Sequence, residues 1–251
     1  MTRWVIASPI LGFVLAVGAG APMAAASETA ALAEASPIVV ELFTSQGCSS
    51  CPPADRLLGE LGRNPGLLVL SLPVDYWDYI GWKDTYASAA NTARQRSYAQ
   101  SLHHRSIYTP EMIIDGRYDV VGSDRTDVDG ALDKARKLAR DRVPVKIEPV
   151  ADGLTVDIAG GRSERPATVW LVRYDPMHTV AIGAGENTGH RISYHNVVRT
   201  MRPIGKWSGK PISIPVKHRL LNSLPGDRTA VIVQYGETGP IVGAAHLTSK
   251  P

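Results

Sequence analysis

The apolar run Ile38-Val39-Val40-Glu41-Leu42-Phe43 leads into Cys48-Ser49-Ser50-Cys51-Pro52-Pro53, after which Ala54, Leu57, Leu58 and Leu61 recur at helical spacing. A short β-branched run reads as a buried strand, so the only two cysteines of the chain stand where a strand gives way to a helix. Amides in the first turn of a helix have no internal partner and carry the positive end of its dipole, which favours a thiolate on Cys48. Pro52 and Pro53 fit there, because a missing N–H is tolerated only in that first turn. With two residues between them, Cys51 can come round to meet Cys48 in a reducible disulfide. The spacing predicts Cys48 as the exposed attacking thiol and Cys51 as the buried resolving one.

Other readings of the pair compete. A structural disulfide across two residues closes almost no loop and removes little entropy from the unfolded chain. Half of a zinc site needs a second pair of ligands, and the sequence has no second cysteine pair and no His-x₃₋₅-His run beside this one. A non-catalytic scaffold that keeps the motif is the third.

The first residues read as a secretory signal over 1–26: Arg3 supplies the positive start, Val5 to Gly20 the apolar core and Ala24-Ala25-Ala26 the small-residue cleavage site. An uncleaved anchor is the alternative, although Pro9 and the glycines before Ala21 suit it poorly. The expected location is therefore periplasmic or secreted, with no integral membrane segment after cleavage. In an oxidising compartment a chain with one cysteine pair is not stapled by disulfides, which leaves function as the reason for the pair.

A polar, alanine-rich linker covers 27–36, and charge divides the remainder of the chain. Residues 37–144 carry a net charge of −1 and 145–251 a net +5. The basic half permits an acidic partner or lipid surface, but no basic stripe with interleaved aromatics argues for nucleic acid. Leu67 to Val74 reads as a second buried strand, parallel to the first. Tyr86 to Leu102 shows a weak helical pattern. Tyr108 to Ile114 and Tyr118 to Val121 flank Asp115-Gly116, a hairpin signal, and Ala131 to Ala139 mark a closing helix. From Val145 onward short strands are punctuated by turns: Val145 to Pro149, Leu154 to Ile158, Thr168 to Tyr174, Ser193 to Met201, Thr229 to Tyr235 and Ile241 to His246. The pattern predicts an α/β domain over 37–144 followed by a smaller antiparallel β-sandwich-like domain over 145–251.

A CxxC at a strand-to-helix junction, followed by Thr109-Pro110 opening a hairpin, resembles the thioredoxin-like superfamily. Longer runs resemble a secreted bacterial thioredoxin-like family catalogued as a domain of unknown function. These runs are Glu41 to Asp55, Val74 to Asp84, Ala93 to Arg96, Tyr108 to Met112, Gly185-Glu186-Asn187 and His195 to Val198. The resemblance implies a thioredoxin-like domain in which Pro110 is cis beside the cysteines, Thr109 offers its backbone to a substrate strand, and Glu41 takes the proton of Cys51. Ser49-Ser50 departs from the dipeptides of well-understood thioredoxins, which leaves the redox direction open.

Tyr76, Trp77 and Trp82 follow the second parallel strand, so they emerge at the same sheet edge as the CxxC loop. They either wall a substrate groove or plug a gap between domains. His103-His104 with Met112 and the thiolates would make a copper-delivery variant, against which a capping or solvent-exposed histidine pair is weighed. The preferred expectation is a thiol–disulfide oxidoreductase acting on a protein or small-molecule disulfide or dithiol, with no dissociable cofactor. The alternative is an envelope binding module on an inactive scaffold.

Overall fold

In the computed structural model the described residues are 1, 2, 4, 36–138 and 141–247. All of the expected signal segment but residues 1, 2 and 4, and most of the linker, lie outside them. Strand β1 (Ile38–Thr44) is buried along its whole length and pairs in parallel with β2 (Leu67–Pro73), from Ile38 opposite Leu67 to Thr44 opposite Pro73. Helix α1 (Pro52–Leu61) connects them, with Cys51 as its N-cap and the two prolines in its first turn. Helix α2 (Ala89–Ser101) is capped by the Ser88 hydroxyl, which accepts from the amide of Asn91 at 3.2 Å. Strands β3 (Glu111–Ile114) and β4 (Tyr118–Val121) form the expected hairpin, and α3 (Arg125–Lys137) follows with Asp124 as its N-cap.

The rest of the chain comprises β5 (Val145–Val150), β6 (Gly153–Ile158), β7 (Ala167–Ala181), β8 (Arg191–Trp207), β9 (Ile212–Lys217), the short α4 (His218–Ser223), β10 (Arg228–Tyr235) and β11 (Ile241–Leu247). The separate β-sandwich expected over 145–251 is not what these strands make. β7, β8, β10 and β11 continue the sheet of the first half, giving the order β11-β10-β7-β8-β2-β1-β3-β4, while β5-β6-β9 form a second, antiparallel sheet. The join is a parallel pairing of β2 with β8 at Ser71 opposite Val197, extended by the side-chain amide of Asn196, which donates to the Val69 carbonyl at 2.9 Å. The described residues from Ser36 to Leu247 fall in one compact unit, so the expected boundary at Pro144 is crossed by a continuous sheet.

Three of the four apolar clusters among the described residues explain the layering, the fourth lying at the far end of the β7–β8 hairpin around Ile182, Ile192, Tyr194 and Val197. On the α1 and α3 face of the sheet, Val40, Leu42, Leu67 and Val69 meet Ala54, Leu57, Leu58, Val128 and Leu132. On the opposite face, Val39, Phe43, Leu68, Leu70 and Leu72 of the first half pack with Val172, Tyr174, Val198, Ala230 and Ile232 of the second. The small sheet covers β7, β10 and β11 through Ile147, Leu154, Val156, Trp207 and Val231. β7 and β8 are long enough to overhang this arrangement. Beyond a register shift at Arg173/Tyr174 their hairpin runs on to Ala181 and Arg191, which carries the turn over 182–190 to the CxxC loop. Among the described residues no helix is long and apolar enough to cross a membrane.

Candidate functional site

Cys48 and Cys51 are joined in a disulfide at the amino end of α1, with Cα atoms 5.4 Å apart. The loop turns tightly onto the helix: the Cys48 amide donates to Ser45 O and the Cys51 amide to Cys48 O, both at 3.2 Å. Cys51 is fully buried, as expected. Cys48 is also buried, at 1 % exposure, which corrects the expectation of an exposed attacking thiol. Two segments pack against its loop. On one side a Cβ at Gly47 would stand 3.0 Å from the Ile80 side chain and 3.2 Å from Trp77 Cβ. On the other, the Asn187 side-chain amide donates to both Gln46 O and Cys48 O at 2.9 Å, and the Ser49 amide donates to the Glu186 carboxylate at 3.3 Å. Only Ser49 and Ser50 of the CxxC are exposed.

The Thr109–Pro110 bond is cis and Pro110 is buried. Trp77 ties this loop to the cysteine loop: its indole N–H donates to Thr109 Oγ1 at 2.8 Å while its Cβ lies against Gly47. Trp82 donates its indole N–H to Gln46 Oε1 at 2.8 Å and packs against the 182–190 turn, where a Cβ at Gly183 would meet its ring at 3.0 Å. Tyr76 packs on the shared core, and burial pushes its phenol up to about 12. Of this aromatic loop, Tyr79 is the residue that stands exposed. Of the three aromatics singled out from the sequence, Trp77 and Trp82 therefore brace the loops around the disulfide, and Tyr76 belongs to the core.

Glu41 is elsewhere. Side chains alternate across a strand, so it shares the α2 face with Val39 and Phe43, away from α1. It is fully buried there in a bidentate pair with Arg94, Nε to Oε1 at 2.7 Å and Nη2 to Oε2 at 3.0 Å, and it accepts from the Tyr98 hydroxyl. A carboxylate committed to a guanidinium on the far face is not placed to take a proton from Cys51, which corrects that assignment.

The acid on the correct face is Asp55. It lies one turn beyond Cys51 in α1, its amide donating to Cys51 O at 3.1 Å, and i and i+4 side chains share one face of a helix. It is 2 % exposed, and neither carboxyl oxygen has a hydrogen-bond partner within the described structure. Burial pushes it up to about 8, opposed by the nearby Thr44 hydroxyl and reinforced by Asp84. Asp84 is also buried and raised by desolvation, although it accepts from the amides of Gln46 and Tyr86 at 2.8 Å and Ala87 at 3.2 Å. Tyr194 of β8 completes the group, its phenol raised by burial and then by both aspartates. Sequence reasoning missed Asp55 even though it lies four residues after Cys51, and missed Asp84, Glu186 and Asn187 as neighbours of the pair.

The ligands of the copper variant have other places in the fold. His104 pairs with Asp119 at 3.1 Å, and Met112 is buried in the α1-face core. Among the described residues no three His, Cys, Asp or Glu side chains are grouped to hold a metal ion.

Fold and site together define a mixed α/β protein with a buried CxxC disulfide at a strand-to-helix junction, built on one large mixed sheet and a smaller antiparallel one. The chain belongs to the family described as "Protein of unknown function (DUF1223)", whose model matches residues 39–234. It is similar to the crystal structure of protein AGR_C_4864 from Agrobacterium tumefaciens, with 34% identity over 85% of this chain and 95% of that one and a TM-score of 0.75. A more distant likeness, to HBP35 of Porphyromonas gingivalis, has 12% identity over 86% of this chain and 77% of that one with a TM-score of 0.51, and concerns the fold alone. No curated protein matches the chain.

Proposed function

We propose that this protein is an exported thiol–disulfide oxidoreductase with a thioredoxin-like redox centre, acting on a protein or small-molecule disulfide or dithiol in the periplasm or outside the cell. The observation that carries the reading is the disulfide at the amino end of α1, tied through Trp77 to the loop that contains the cis Thr109–Pro110 bond. A two-residue disulfide contributes little to stability, so its chemistry is the better account of its place.

In the oxidising direction, a substrate thiolate attacks the Cys48 sulfur and the Cys48–Cys51 bond breaks. Cys51 leaves as a thiolate, and Asp55, protonated when its value stands at about 8, gives it a proton. A second substrate thiolate then attacks its partner sulfur in the mixed disulfide and expels Cys48, so the substrate loses two electrons and the protein pair gains them. Reduction of a substrate runs the same steps backwards, with Asp55 as the base that deprotonates Cys51. Thr109 and Pro110 hold the substrate strand, and Trp77 fixes that loop.

A second reading, an envelope binding module on an inactive scaffold, is favoured by the burial of Cys48. Insulin reduction and refolding of scrambled ribonuclease, measured on the full chain and on Cys48→Ser, separate the two. The oxidoreductase reading expects activity that Cys48→Ser abolishes, and trapping of a mixed disulfide on Cys48 by Cys51→Ser. Equal rates for wild type and Cys48→Ser, with nothing trapped, would overturn it.

A further inference from the structure

The run Gly185-Glu186-Asn187 has no part in the thiol-exchange steps, yet it lies directly on the CxxC loop from the other half of the chain. Asn187 is 2 % exposed, and both hydrogens of its side-chain amide are spent on carbonyls of that loop, Gln46 O and Cys48 O. The turn that presents it is braced from within. The Ile182 amide donates to His190 O, the Gly189 amide back to Ile182 O at 2.9 Å, and the His190 amide to Asn187 O at 3.1 Å. Gly185 has φ 77, and a Cβ there would stand 3.2 Å from Trp82 Cβ, so the turn also sits close against the aromatic segment on the other flank of the pair. The base of the turn is thus packed in the apolar cluster of Ile182, Ile192, Tyr194 and Val197 with Trp82, while its tip is held to the cysteine loop by the two hydrogen bonds of Asn187 and by that of the Ser49 amide to Glu186.

We propose that Asn187 is a specificity-determining, positioning residue of the redox centre: it latches the 182–190 turn over Cys48, so that small thiols reach the disulfide far ahead of bulky ones. The proposal rests on the thiol–disulfide reading. Attack on a disulfide requires a sulfur to approach along the bond, and with Cys48 1 % exposed that approach is closed until the turn lifts or a slender reagent slips past Ser49 and Ser50. A latch made of two hydrogen bonds opens at a modest free-energy cost, in the range of the local openings that proteins use for gating. Glu186 at the Ser49 amide holds the rim of the same turn.

The test compares reduction of the Cys48–Cys51 disulfide of the full chain by a small thiol and by the same thiol carried on a polyethylene glycol chain, followed by acid quench and mass analysis. The ratio of the two rates cancels any change in the intrinsic reactivity of the sulfurs. In the folded wild type the ratio should far exceed that of the same chain unfolded in urea. Asn187→Ala should speed the bulky thiol at least about fivefold and narrow the ratio, as loss of two hydrogen bonds requires.

Asn187→Asp keeps the size but sets a carboxylate against two carbonyls, and should narrow the ratio similarly while preserving the fold. A wild-type ratio equal to that of the unfolded chain, or folded variants that leave the ratio unchanged, would overturn the latch. These rates need no substrate turnover, so failure of the oxidoreductase reading shows in the Cys48→Ser assay and failure of the latch shows in the rate ratio.

Discussion

A carboxyl group with no hydrogen-bond partner is expensive to bury as an anion, and Asp55 is kept in the neutral form over much of the pH scale by that cost. Its folded value of about 8 lies above the ordinary 3.8. Stability from the neutral group is therefore complete below the unfolded value and is lost as pH rises through that interval towards 8. Asp55→Asn keeps the shape without the ionisation. The stability of wild type relative to this variant is expected to fall by up to about 1.4 kcal/mol per pH unit between about pH 4 and pH 8. Urea unfolding of the two proteins across that interval measures it, and a flat difference would mean that Asp55 is ionised in the fold. Glu41 shows the opposite solution to the same problem, a buried carboxylate answered by Arg94 and Tyr98. From the sequence either acid fits the role, because strand parity and helix phase, not residue type, decide which one faces the cysteines.

Elements whose signals are local were legible. Asp115-Gly116 marks the β3–β4 turn, and both residues adopt positive φ, 60 and 64, in a tight turn closed by the Arg117 amide donating to Ile114 O at 3.0 Å. The turn is also a junction: the Asp115 amide donates to Val39 O, Asp115 O accepts from the Ile241 amide, and its carboxylate pairs with Arg142. A Cβ on Gly116 would come within 2.3 Å of the Gly239 carbonyl oxygen. Gly116→Ala is therefore expected to cost about 2 kcal/mol or more and to lower Tm by roughly 4–8 °C. Thermal melts give the answer, and an unchanged Tm would show that the 239 loop yields freely.

Other elements were faint for stated physical reasons. α2 buries Asn91, Thr92 and Gln95 beside Tyr98 and Ala99, with bonds such as Gln95 Nε2 to Glu111 Oε2 at 2.6 Å, so its inner face carries no continuous apolar stripe. β9 holds Pro215, which argues against a central strand but is tolerated at the edge of the small sheet.

At the scale of the molecule, the pairing of β2 with β8 joins residues more than a hundred positions apart, and no local pattern announces it. For that reason the change from helical to strand-rich sequence near Pro144 reads as a domain boundary, when it marks only where one sheet begins to be completed from the other side. The CxxC loop comes from before that point and Asn187 from after it. Val172, Tyr174, Val198, Ala230, Ile232, Ile241 and Ala244 fill the same core as Val39, Phe43, Leu68, Leu70 and Leu72. Removing the later residues bares that face and the free edge of β2. At roughly 1.5–3 kcal/mol for each large apolar side chain, the loss is on the order of 10 kcal/mol, as much as a typical domain has in reserve. A fragment spanning 37–144 is therefore expected to aggregate or to lack a cooperative unfolding transition, which gel filtration and circular dichroism would register. Co-expression with 145–251 should recover soluble complex, because the surface each fragment lacks is the core of the other. A fragment 37–144 that is monomeric and unfolds cooperatively would establish that the first half folds alone, and would reduce the shared core to an interface between domains.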